Sequence, residues 1–138
     1  MSDTPQNCPC GSKRPYPACC GRFLDGTASP ETAEELMRSR YTAHCRGDIA
    51  WLRKTLAPDR QSTFDPIATA EWATQNQWTG LKILKTRRGR AQDDEGTVLF
   101  KASYYTPAGP GTHRENSLFR RIDGRWYYVD AVQAKIRG

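Results

Sequence analysis

Four of the chain's five cysteines fall inside thirteen residues: Cys8, Cys10, Cys19 and Cys20, with Cys45 alone further along. A disulfide framework spreads its cysteines through a chain, because bridges that close long loops restrict the unfolded state most. A cluster reads instead as one local site. Four thiolates in so short a span can close around one Zn²⁺ in a tetrahedral shell, with Zn–S bonds of about 2.3 Å. Gly11 and Gly21 allow tight turns beside the paired ligands, and Pro9 limits the freedom of the loop. Lys13, Arg14 and Arg22 offset the negative charge of the thiolates and favour their formation. The alternatives are two short-range disulfides or four free thiols. A reducing cytosol disfavours the first, and a short polar stretch has no reason to fold without a metal or a bridge. A closed shell of cysteines leaves no open coordination position, so the expected cofactor is one structural Zn²⁺ per chain. On this reading, loss of one ligand unfolds the first twenty-two residues and spares the rest.

The remainder of the 138 residues is one domain's worth of chain. It is polar, 37% hydrophobic, but four Trp, six Tyr and four Phe supply the apolar surface for one core. No apolar run approaches the roughly 20 residues of a membrane span. Met1-Ser2-Asp3-Thr4-Pro5 has neither a basic region nor an apolar stretch, so a cytoplasmic location is expected, with no membrane partner. A net charge of +6 permits an acidic partner or RNA without demanding either.

Helical signals come first. Thr32 and Glu35 form a capping box, and Leu36, Met37, Tyr41 and Cys45 recur at helical spacing up to a stop at Gly47. Cys45 reads as a small core residue rather than a reactive thiol. Asp48 caps a short second helix with Ile49, Trp51, Leu52 and Leu56, and Asp65-Pro66 opens a third through Ala70, Trp72 and Ala73. From Gly80 the period changes to two. Leu81 and Ile83 begin one strand, and Val98, Phe100, Ala102 and Tyr104 alternate along another. Arg87–Arg90 and Pro107–Gly111 read as turns, and Asp123-Gly124 as a two-residue hairpin loop of type I′. Helices followed by a curved antiparallel sheet give an α+β fold.

An ideal register for the last hairpin sets Arg121 opposite Trp126, Phe119 opposite Tyr128 and Ser117 opposite Asp130, with Arg120–Tyr127 and Leu118–Val129 on the other face. His113, Glu115, Ser117 and Asp130 then share one wall, which Tyr104 can join, and a His with two carboxylates can act as acid and base. The preferred reading is blander: His113 and Glu115 are solvated near a loop end, and Asp130 accepts a hydrogen bond from Ser117. His44 is explained by its helix terminus. No nucleophile elbow, phosphate loop or His-Glu metal motif occurs, so the enzyme case is the weaker one. Basic residues cluster at Lys82, Lys85, Arg87, Arg88 and Arg90 and at Arg120, Arg121 and Arg125, beside Trp126 and Tyr127. The reading favoured over nucleic acid is an Arg121–Trp126 cation–π pair and cations that protect strand edges.

Cys8-Pro9-Cys10-Gly11-Ser12 through Tyr16 to Cys19-Cys20-Gly21 resembles the SEC-C motif, the zinc knuckle of the SecA translocation ATPase, with Cys20 where the familiar form has His. Thr32–Tyr41 and Trp126-Tyr127-Tyr128-Val129-Asp130 resemble the bacterial YchJ-like family of uncharacterised proteins. The resemblance implies a SEC-C-type knuckle over residues 1–27 and a nuclear-transport-factor-like cone over residues 28–138, with no established activity. In the translocation ATPase the knuckle contacts an acidic export chaperone and the ribosome. The expectation is therefore a protein-binding adaptor to translation or export machinery; the alternative is a small-molecule-binding protein or enzyme that uses the cone.

Overall fold

The computed structural model describes residues 7–132, so the Met1–Pro5 stretch read for targeting lies outside the described residues. Within these, helices α1 (Gly21–Leu24), α2 (Ala33–Arg46), α3 (Ile49–Lys54) and α4 (Pro66–Gln75) precede strands β1 (Gln77–Arg88), β2 (Glu95–Thr106), β3 (Gly109–Ile122) and β4 (Arg125–Ala131). The strands pair antiparallel in sequence order, giving the expected α+β layout. No helix is long and apolar enough to cross a membrane among the described residues.

The caps fall where the sequence places them. Thr32 Oγ1 accepts from the Glu35 amide at 3.1 Å, Asp48 from Trp51 at 3.1 Å and Asp65 from Ala68 at 3.0 Å. The Glu35 carboxylate closes its side of the box one residue early, accepting from the Glu31 amide. Gly47 ends α2 with a left-handed φ of 71°. Leu56 lies beyond α3, where it bridges to Tyr128. The segment Thr55–Ala57 bonds to both backbone groups of Tyr128 and so covers part of the β4 edge.

Three expectations about the strands need correction. Arg87–Arg90 is not all turn, since β1 runs through Arg88, with Arg87 opposite Thr97 and Arg88 opposite Gly96. Pro107–Gly111 is not all turn, since β3 begins at Gly109. Thr106 Oγ1 braces the turn, and Gly111 belongs in the strand because a Cβ there would meet the Tyr104 ring at 2.9 Å. The last hairpin has its type I′ turn, with Asp123 and Gly124 at φ 51° and 81°, and keeps the ideal register through Phe119–Tyr128. Beyond that it slips. Val129 is an extra residue, so Leu118 faces Asp130 and Ser117 faces Ala131. Arg60 holds the bulge by donating to the Val129 carbonyl at 2.9 Å while pairing with Asp130 at 2.8 Å.

Helix α2 lies in the hollow of the sheet. Leu36, Met37 and Tyr41 pack with Val98, Phe100, Ala102, Phe119 and Trp126, and the four clustered cysteines belong to the same buried group. The knuckle is seated on the cone's own core.

Candidate metal centre and cavity

The N-terminal turn is built to converge its sulfurs. Cys8 N–H bonds to the Arg14 carbonyl, and left-handed φ values at Gly11 and Lys13 fold the loop back on itself. The turn Tyr16–Ala18 then delivers Cys19 and Cys20 to the start of α1. Gly21 follows because a Cβ there would stand 2.8 Å from both the Tyr16 carbonyl and its ring. As a result the Sγ atoms of Cys8, Cys10, Cys19 and Cys20 lie within 4.8 Å of one another, all on buried residues. A tetrahedral ion with bonds of about 2.3 Å needs sulfurs roughly 3.8 Å apart, and Cys10 and Cys19 stand at 3.6 Å. The residues fit a four-thiolate metal site.

The cluster's own electrostatics suit a cation. Hydrogen bonds from Cys10 and Cys20 hold the Cys8 thiol down at about 3, whereas bonds to Cys10 and Cys8, with burial, push Cys20 up. Sulfurs packed this closely cannot all ionise without a counter-ion. Neighbours support the shell. Ser12 Oγ lies 3.1 Å from Cys19 Sγ and Thr42 Oγ1 3.6 Å from Cys8 Sγ, while Arg38 Nη1 donates to the Cys10 carbonyl at 2.7 Å. Arg38 and Thr42 were not foreseen, although their four-residue spacing on α2 is a legible signal of one shared face.

Under α2 lies a cavity of about 190 Å³, far more than one water fills. Aromatic side chains Tyr41, Trp72, Trp78 and Phe100 line it together with Arg40, His44, His113, Glu115, Ser117 and Tyr128. The expectation that Glu115 is solvated is corrected here, as its side chain is only 17% exposed. So is the Ser117–Asp130 bond: Ser117 Oγ and Tyr128 Oη each donate to Glu115 Oε2 at 2.7 Å, and His113 Nε2 lies 2.9 Å from Oε1. Asp130 leaves the wall altogether, because the Val129 bulge turns it outward to Arg60. Tyr104 stands beside the group, its ring centroid 6.1 Å from that of Trp72.

Burial pushes the Glu115 carboxyl up, but the bonds from His113, Ser117 and Tyr128 outweigh it and hold the carboxyl below its ordinary range. In return Glu115 raises His113. Burial lowers Arg40 to about 10 and His44 to about 4, the latter helped by the nearby charges of Arg40 and His113. Arg40 lies 4.7 Å over the Tyr128 ring and donates through Nη1 to Leu52 O and Thr55 Oγ1. His44 Nδ1 and Trp78 Nε1 are fully covered and have no partner among the described residues. Arg40, His44, Trp72 and Trp78 are therefore the cavity residues the sequence reading missed. Arg40 and His44 stand one turn apart beside Met37 and Tyr41, a polar pair at the margin of an apolar stripe. A smaller hollow of about 130 Å³ between Phe23, Trp51 and Trp126 collects no acid and no imidazole among the described residues. Cys45 is half-buried, its thiol raised by burial to about 11, in keeping with a core role.

A cysteine knuckle seated on a helix-filled curved sheet defines the class: a SEC-C motif protein, its four cysteines placed so that they could hold a metal, with a nuclear-transport-factor-like domain. Residues 32–131 match the family described as the YchJ middle NTF2-like domain, and the chain belongs to the YchJ-like family, whose relatives carry the designation UPF0225. It is 44% identical over 128 residues to a UPF0225 protein of Geobacter sulfurreducens, covering 93% of this chain and 80% of that one. A UPF0225 protein of Streptomyces coelicolor is 45% identical over 123 residues, with 89% and 92% covered. Among solved structures, a SEC-C motif-containing protein from Rhodopseudomonas palustris superimposes with a TM-score of 0.86 at 33% identity, over 94% of this chain and all of that one. A second, from Psychrobacter arcticus, gives 0.79 at 28% identity, over 95% and 85%.

Proposed function

We propose that this is a cytoplasmic ligand-binding protein stabilised by a structural Zn²⁺, and that the cavity under α2 takes a small organic anion with a flat apolar body. Tetrahedral thiolate coordination suits Zn²⁺, and the ion would offset half the charge of four thiolates that otherwise share protons, leaving the rest to basic neighbours such as Lys13 and Arg14. Metal analysis of the purified protein is expected to give one zinc per chain, and a different metal in that stoichiometry would overturn the assignment.

The observation that carries the cavity reading is the imbalance of its unpaired polar atoms. Its one lining carboxylate among the described residues, Glu115, is already engaged by three partners. What remains is rich in donors: the covered Trp78 Nε1–H, and Arg40, whose Nε and Nη2 have no hydrogen-bond partner among the described residues, beside the covered His44 Nδ1, which donates or accepts according to its tautomer. A carboxylate answers both, and a guanidinium fork matches its planar geometry. The aromatic walls accept a flat body. Thermal-shift and tryptophan-fluorescence titrations should show binding of small aromatic carboxylates and none of the matching amines. Arg40→Gln should weaken that binding at least tenfold. Preference for amines would sink the reading.

The knuckle's outer surface favours a second role, docking of an acidic protein. Lys13 and Arg14 are exposed while the cysteines turn inward, and Arg46 lies 4.4 Å over the Tyr16 ring. Resemblance to the translocation-ATPase knuckle supports an acidic chaperone or a ribosomal protein as the partner. A Lys13→Glu/Arg14→Glu double variant should lose such a partner in pull-downs, and full retention would count against the adaptor role.

A further inference from the structure

His113 and Glu115 face the cavity, so Arg114 between them faces the opposite side of the sheet. The same alternation turns out Lys101, between the buried Phe100 and Ala102, and Lys82, between Leu81 and Ile83. The register then sets these cations in one line across three strands, Lys82 opposite Lys101 and Lys101 opposite Arg114. Neighbouring strands stand roughly 4.8 Å apart, and like charges directly opposite one another work against pairing. All three side chains are exposed, and none forms an ion pair among the described residues. Lys85 and Arg87 extend the same unpaired surface along β1. By contrast Arg88 and Arg90 are held by Asp93, Arg120 by Glu95 and Arg121 by Asp94. Tyr105, 53% exposed, stands on the outer face of β2, four residues along from Lys101.

A row of unneutralised cations that opposes its own sheet calls for an anionic occupant. A second copy of the chain does not supply one, since it would set cations against cations with a net charge of +6 on each partner. Nor does the face resemble the middle of a protein interface, where lysine is depleted. Exposed lysines with an upstanding aromatic ring match a strand of phosphates with stackable bases. We propose that the outer face of the sheet binds single-stranded nucleic acid, its phosphates along the Lys82–Lys101–Arg114 row and a base stacked on Tyr105. The proposal is independent of the cavity and of the knuckle.

Fluorescence anisotropy of the metal-loaded full chain with a labelled single-stranded RNA 12-mer tests it. Three to five phosphate contacts on a single strand predict a log–log salt slope of about −2 to −3.5, a loss of roughly 15- to 130-fold in affinity between 50 and 200 mM salt. Lys101→Gln/Arg114→Gln should lower affinity at least tenfold and flatten the slope by about 1.4. Tyr105→Ala should cost at least fivefold with the slope unchanged. Lys13→Gln/Arg14→Gln, on the knuckle, should bind within twofold of the parent. Circular dichroism identifies correctly folded variants, and the milder Lys82→Gln, at the sheet edge, provides an independent reading with a smaller loss. Unchanged binding in the folded double variant would overturn the proposal. So would a poly-glutamate peptide that competes as well as the RNA while Tyr105→Ala has no effect, because that result assigns the face to an acidic protein.

Discussion

His44 shows how one side chain ties the cavity to stability. Its ring is half-buried with a covered nitrogen, and Arg40 and His113 stand nearby, so the folded protein favours the neutral form down to about pH 4. In the unfolded chain the imidazole takes up its proton near the ordinary value of 6.5. The unfolded state therefore binds more protons between these values. The contribution is complete above about 6.5 and is lost as pH falls toward 4, amounting to about 2 kcal/mol after allowing for partial exposure of the ring. Denaturant unfolding from pH 7 to 4 should show this extra acid sensitivity, and His44→Gln should flatten the slope. An identical slope in that variant would remove His44 from the account. His113 has the opposite sign: its raised pKa contributes stability below the ordinary imidazole value, lost as pH rises through the folded value. Both residues were visible as histidines, but the partners that separate their behaviour come from α2 and β3.

At the scale of the element, caps and turns were legible because they rest on local bonds. Thr32, Asp48, Asp65 and the Asp123-Gly124 pair act within three or four residues of themselves. The Val129 bulge was not legible, since its reason lies in Arg60, far away in the chain, which grips both the Val129 carbonyl and Asp130. An ideal register therefore misplaces Asp130 by one position, whereas Glu115, read as solvated from its nearness to a loop end, is enclosed by the Ser117 and Tyr128 hydroxyls. Close approaches behave in the same way. Gly21 lies against the carbonyl and ring of Tyr16, and the carbonyl is backbone that cannot swing aside. Gly21→Ala should destabilise the protein by about 1–3 kcal/mol and weaken metal retention, measured by denaturant unfolding and by chelator competition. A neutral effect on both would mean that the knuckle tolerates a wider turn.

For the whole molecule, the decisive fact is that the cysteine cluster and the cone share one core. Cys10 and Cys20 are completely buried and pack in the same group as Leu36, Met37, Phe100 and Trp126, and Arg38 ties α2 to the Cys10 carbonyl. This coupling argues against a knuckle that unfolds alone. Metal binding to such sites is on the order of 10 kcal/mol, and α2 also forms one wall of the cavity. Chelation, or Cys10→Ser, should lower the single thermal transition by roughly 10 °C, the equivalent of about 3 kcal/mol for a chain of this size. Two separate transitions, with the cone unshifted, would restore the picture of independent units.

By itself the amino-acid sequence determined the local chemistry: four thiols within one short span, the helix caps, the period-two strands and the tight last turn. These depend on spacing, and spacing is written in the chain. Tertiary structure alone decided which polar residues meet. It brought Arg40 and His44 of α2 to Glu115 of β3, turned Asp130 away through one extra residue, and lined up Lys82, Lys101 and Arg114 from three strands. The physical reason is that side-chain direction in a sheet reverses with each residue, so a single slip of register reassigns every side chain beyond it to the other face.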